Sequence, residues 1–107
     1  MMNLVLCTSG VDAASELADS LVCDRLAACV NIIPGIQSVY RWKGEVCRDT
    51  EALLVCKVSA ACTRELVDAI RQRHPYDTPE ILVVPVDAQQ SDARYLEWVL
   101  RACGRPT

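Results

Sequence analysis

Apolar and polar positions alternate along this chain in two rhythms, one of strands and one of helices. Asn3 to Cys7 is a short apolar run that predicts a strand, and Thr8-Ser9-Gly10 then turns the chain. Ser9 and Asp12 are spaced as a weak capping box. Behind them Ala14, Leu17, Ala18, Leu21 and Val22 recur at helical spacing, with Asp12, Glu16, Asp19 and Asp24 on the other side. That pattern predicts an amphipathic helix ending near Arg25 or Leu26. Ala28 to Ile33 and Ile36 to Lys43 read as extended, and Pro34-Gly35 between them predicts a bulge, because proline has no N–H for the ladder. Gly44-Glu45 marks a hairpin turn, and Val46 to Val58 returns as a long strand. Ser59 is placed to cap a second helix carrying Cys62, Leu66, Val67, Ala69 and Ile70 on one face. His74-Pro75-Tyr76 stops that helix, since a residue before proline avoids the helical region. Glu80 to Val86 is the next strand; Ser91 then opens a last helix with Tyr95, Leu96, Val99 and Cys103, and Gly104 closes it.

The order is β-α-β-β-α-β plus a terminal helix, within a single domain spanning residues 1–107. Two βα units flanking a hairpin fit an α+β, ferredoxin-like split βαβ fold, with an antiparallel sheet and two helices on one face. A doubly wound parallel sheet is the alternative, and the hairpin between Arg41 and Cys47 speaks against it.

That fold leaves one sheet face without helices of its own. Yet Leu4-Val5-Leu6, Ala52 to Cys56 and Ile81 to Val84 are continuously apolar, as in strands buried on both sides. At ~25 cal/mol per Å², wetting several hundred Å² of such surface forgoes roughly 10 kcal/mol. The terminal helix can cover part of the face. Further copies of the chain are expected to cover the rest, so the sequence predicts a homo-oligomer.

Composition narrows the function. With 51% hydrophobic and 23% charged residues the 107-residue chain is globular rather than disordered. Fourteen acidic residues against eleven basic ones give a net charge of -3, which argues against nucleic acid as a partner. No apolar stretch approaches the ~20 residues of a membrane span, so no membrane partner is expected. Seven cysteines, an odd number, sit mostly inside apolar runs with no secretory leader ahead of them, and no CxxC pair is present. They read as small buried thiols in a reducing cytoplasm rather than a disulfide framework or a zinc ribbon.

Two groups of residues carry candidate chemistry. A turn at Gly44-Glu45 sets Trp42 opposite Cys47, Tyr40 opposite Asp49 and Ser38 opposite Glu51. Period-two alternation then puts Ser38, Tyr40 and Trp42 on one face with Glu51, Leu53, Val55 and Lys57. This is either an amphipathic hairpin packed on a neighbour or a cleft for a small ligand. His74, the one histidine, stands where it either caps the second helix or acts as metal ligand or acid/base, with Cys7 as its natural soft partner. One thiolate and one imidazole are too few for a closed site, which usually takes four ligands. A nucleophilic Cys7–His74 pair is disfavoured because an apolar strand suppresses the thiolate, and no GxSxG, P-loop, GxGxxG or HExxH motif occurs. No catalytic residue is therefore assigned. RNA recognition by stacking is disfavoured too, with no phenylalanine and an acidic balance.

The run Arg25-Leu26-Ala27-Ala28-Cys29-Val30-Asn31, then Ile33-Pro34 and Ser38-Val39-Tyr40-Arg41-Trp42-Lys43-Gly44, resembles the CutA family of divalent-cation tolerance proteins. Glu51 to Lys57, His74-Pro75-Tyr76, Pro79-Glu80-Ile81, Pro85 and Tyr95-Leu96-Glu97-Trp98 continue the likeness in the same order, so that it spans about Leu4 to Val99. The resemblance implies a ferredoxin-like fold in a tight homotrimer, similar to the PII signalling proteins, without an established catalytic activity. It further implies a response to divalent metal ions, chiefly Cu(II), with Cys7 and His74 at the matching ligand positions. Arg73, which cannot ligate, stands beside His74 where a second histidine is expected, so the copper affinity implied is weak. The implied intersubunit clefts involve Tyr40, Trp42, Glu51, Lys57 and Tyr76. Such clefts suit either metal response or, given Lys57, a small anion, a nucleotide or a protein partner; a purely structural trimer is a third reading. The chain opens just before the first strand, which favours a cytoplasmic location.

Overall fold

The computed structural model describes residues 1–105. Its elements are β1 (Met2–Ser9), α1 (Val11–Cys23), β2 (Cys29–Trp42), β3 (Glu45–Ser59), a 3₁₀ turn (Ala60–Cys62), α2 (Thr63–Arg73), β4 (Ile81–Pro85) and α3 (Ala93–Ala102). The sheet order is β2-β3-β1-β4 with every neighbouring pair antiparallel, the ferredoxin-like arrangement expected from the element order.

Helices α1 and α2 cover one face. Val5, Cys7, Leu54, Cys56 and Val58 point to that side by strand alternation, and all are fully buried with Leu21, Leu66 and Ile70. On the opposite face, α3 packs against β1 and β3 and buries Leu96 and Val99. Tyr95 of α3 comes close to Cys29, and Cys29 lies opposite Lys57, itself opposite Leu4. The terminal helix thus covers one end of this second face. Beyond it the face stays open, with Leu82 54% and Ile33 45% exposed.

Capping differs from expectation at two helices. Ser9 ends β1, and its hydroxyl donates to the Gly10 carbonyl at 3.0 Å, so α1 begins without a side-chain cap. Asp92 rather than Ser91 caps α3, its Oδ1 accepting from the Arg94 and Tyr95 amides at 2.9 and 3.1 Å. Ser59 does cap, accepting from the Cys62 amide at 3.3 Å as the 3₁₀ turn leads into α2. Helix α1 stops at Cys23, short of the expected Arg25, because Arg25 takes φ 59° and begins the return to the sheet. The last strand is also shorter than Glu80 to Val86, covering Ile81–Pro85.

The hairpin corrects the expected register. Its turn residues are Lys43 and Gly44, both at positive φ (50° and 82°), which is the conformation of a tight two-residue loop. Tyr40 therefore faces Cys47 and Ser38 faces Asp49, a slip of two residues from the alignment expected with Gly44-Glu45 at the turn. A slip of two keeps every side chain on its face, whereas a slip of one would reverse them. The bulge falls where proline predicted it, between Ile33 and Ile36, with Gly35 at φ 73°.

The hairpin of β2 and β3 projects past the rest of the sheet. Its reach gives a radius of gyration of 14.5 Å, against about 13 Å for a compact chain of this length. The accessible surface of 6949 Å² likewise exceeds the roughly 5,900 Å² expected for 11.8 kDa.

Candidate functional site

A cavity of about 530 Å³ runs along the hairpin arm from beside its turn to its base, where the arm meets the end of β1 and the loop between α2 and β4. Thr8 lines it from β1, Tyr40, Trp42, Asp49 and Glu51 from the hairpin, and Tyr76, Asp77, Thr78 and Glu80 from the loop. Alternation brings the hairpin residues to one side of the arm. The loop leaves α2 because His74 precedes Pro75 and takes extended backbone, φ -76° and ψ 137°.

The charge in this cavity has one sign. Four carboxylates line it (Asp49, Glu51, Asp77 and Glu80), and no lysine or arginine does. None of the four forms an ion pair among the described residues. Glu51 is only 8% exposed, and its Oε2 accepts one hydrogen bond, from the Tyr76 hydroxyl at 3.3 Å. The Tyr40 hydroxyl donates to Asp49 Oδ2. That bond, above all, pushes the Tyr40 pKa up to about 12. Burial, with Glu51 next to it, also raises Tyr76. Both phenols are neutral donors at pH 7.

Four of the five cleft residues expected from the sequence meet here: Tyr40, Trp42, Glu51 and Tyr76. Lys57 does not line the cavity of this chain. It shares the strand face with Glu51 but lies six residues further along β3, about 20 Å away at 3.3 Å per residue. There it faces Cys29, with Nζ 3.8 Å from the thiol. Thr8, Asp49, Asp77, Thr78 and Glu80 were not expected. Asp49 was legible in the hairpin alternation, and Glu80 opens the expected strand Glu80 to Val86; Asp77 and Thr78 lie in a loop without period.

Cys7 and His74 both come to the Thr8 carbonyl, the thiol donating to it at 3.6 Å, and neither is free to ligate. Cys7 is fully buried on the helix-covered face. Burial, with Glu80 and Glu51 adding to it, pushes its pKa up to about 12. His74 Nε2 lies 2.7 Å from the Thr8 carbonyl and must donate to it, while Nδ1 accepts from the Tyr76 amide at 3.1 Å. The imidazole thus has no free lone pair, and the thiol keeps its proton. Among the described residues no three His, Cys, Asp or Glu side chains are grouped to hold a metal ion. Cys7 and His74, as folded, do not fit a resident divalent metal. The same burial leaves Cys7 without the activation that a nucleophile needs.

Likeness to solved structures follows this geometry. The chain superimposes on a divalent cation tolerance protein from Thermus thermophilus with TM-score 0.91 and 40% identity, covering 97% of this chain and all of that one. A PII-like protein CutA from Nostoc gives TM-score 0.92 at 34% identity, covering 95% of this chain and 97% of that one. The fold is thus that of the PII-like ferredoxin class. The family model described as CutA1 divalent ion tolerance protein matches residues 3–102, and the chain belongs to that family. A divalent-cation tolerance protein CutA from Pectobacterium atrosepticum is 43% identical over 97 residues, which is 90% of this chain and 86% of that one.

Proposed function

We propose that this protein is a non-catalytic homotrimer that recognises cations in the acidic cleft along its hairpin arm. Four carboxylates around one cavity, without a basic side chain among them, carry this reading. With no three donors grouped among the described residues, a divalent ion such as Cu(II) or Mn(II) would be drawn to these carboxylates by charge and keep much of its water, rather than bind the protonated thiol of Cys7 and the occupied imidazole of His74. Anion or nucleotide binding, which rested on Lys57, loses its motive within one chain because Lys57 is remote from the cavity. Self-association is supported by the uncovered apolar residues Ile33, Leu82 and Val84. All seven cysteines are free, which suits a reducing compartment such as the cytoplasm, and no described helix is long and apolar enough to cross a membrane.

Calorimetric titration of Cu(II) and Mn(II) into wild type, Glu51→Gln and the Cys7→Ser/His74→Ala double variant tests the assignment. Loss of binding in Glu51→Gln with an unchanged double variant supports the cleft. Loss only in the double variant returns the site to Cys7 and His74.

A further inference from the structure

Resting on that reading of the cleft, we propose that its occupant is an aliphatic di- or polyamine rather than a bare metal ion. The first reason is the spread of the charge. A metal ion wants three or more donors converging on one point, and no such group exists among the described residues, although four carboxylates share the cavity. Charges distributed along a cavity match a ligand whose own charges are distributed. A linear amine with ammonium groups separated by short methylene chains is such a ligand.

The second reason is the wall. Tyr40, Trp42 and Tyr76 line the same cavity as the carboxylates. Aromatic faces attract alkylammonium groups through the ring quadrupole and give the methylenes apolar surface, whereas a strongly hydrated divalent ion gains little from them. The volume of about 530 Å³ falls within the range that small-molecule ligands fill.

The third reason is Glu51. This side chain is more than nine-tenths buried, yet among the described residues it has no cationic partner and takes a single bond, at Oε2, from a neutral phenol. Among the described residues no buried side-chain oxygen lacks a partner, so its unbonded Oε1 reaches solvent, and the cavity is the space that Glu51 lines. A carboxylate that is mostly desolvated, with one oxygen still open to the cavity, gains more from a cation there than a fully hydrated one does. An ammonium donor in the cavity supplies that cation and leaves the Tyr76 bond in place.

Isothermal titration of spermidine and putrescine into the intact protein tests the proposal, in about 50 and 500 mM NaCl, with light scattering to establish that each variant keeps the wild-type mass. Expected results are saturable spermidine binding, tighter than putrescine, weakened by salt and weakened about tenfold or more by Glu51→Gln and by Trp42→Ala. Should Glu51→Gln fail to fold, Asp77→Asn supplies the same reading. No amine binding, or amine binding indifferent to these substitutions, overturns the inference. If Mn(II) binds in a Glu51-dependent manner while the amines do not, the cleft stands as a cation site and only the amine assignment falls. If neither binds, both fall.

Discussion

The Tyr76 hydroxyl donates to Glu51 Oε2 at 3.3 Å and so ties the loop after α2 to the buried end of the hairpin arm. Few links of this kind join the loop to β3, and this one sets the position of a carboxylate on the cavity wall. Tyr76→Phe keeps the ring and removes the donor. It should cost about 1 kcal/mol of stability, the usual loss for one such bond, read as a lower denaturant midpoint. An unchanged midpoint would show that the bond does not hold the loop.

Burial sets the chemistry of two thiols. Cys7 and Cys56 are both pushed up to about 12, chiefly by desolvation. An unfolded thiol titrates near 8.5, so these groups contribute stability that is complete below about pH 8.5 and is lost as pH rises toward about 12. Stability should fall across that alkaline range, with a shallower slope in Cys7→Ala. Native alkylation at neutral pH should label the exposed Cys23 and spare Cys7 and Cys56. Rapid labelling of Cys7 would contradict this placement.

Lys57 is remote from the cavity within the chain, and distant positions act independently. Lys57→Ala should therefore change cation affinity by no more than about twofold, against a large loss in Asp77→Asn. A strong effect of Lys57→Ala would mean that a neighbouring subunit brings its lysine into the cleft.

Much of this architecture was legible because strand alternation survives errors of register. The turn sits at Lys43-Gly44 rather than Gly44-Glu45, and the resulting two-residue slip leaves Tyr40, Trp42 and Glu51 on the face where the pattern put them. Lys57 shows the limit of that rule within one chain. Sharing a face says nothing about distance along a strand, and six residues carry Lys57 to the far end, beside Cys29. Asp77 and Thr78 carry no periodic signal, since the backbone that brings them to the cleft is set by Pro75 and by the His74 bond to Thr8. The commitment of His74 to Thr8 and Tyr76 was equally hidden, because hydrogen bonds to distant backbone leave no mark on residue spacing.

Leu82, 54% exposed beside the half-exposed Val84, marks the apolar face that copies of the chain are proposed to share. Leu82→Arg should raise the dissociation constant of the assembly at least about tenfold, since it buries an unpaired charge. Sedimentation equilibrium would read the change, and an unaltered mass across micromolar dilutions would remove this face from the interface.

The sign of charge that the cleft accepts is the centre of this account, and Trp42 reports on it directly. In a Trp98→Phe background, Trp42 is the only tryptophan. Its fluorescence should respond saturably to Mn(II) or spermidine and stay unmoved by ATP at the same ionic strength. A saturable response to ATP, with none to either cation, would contradict the account.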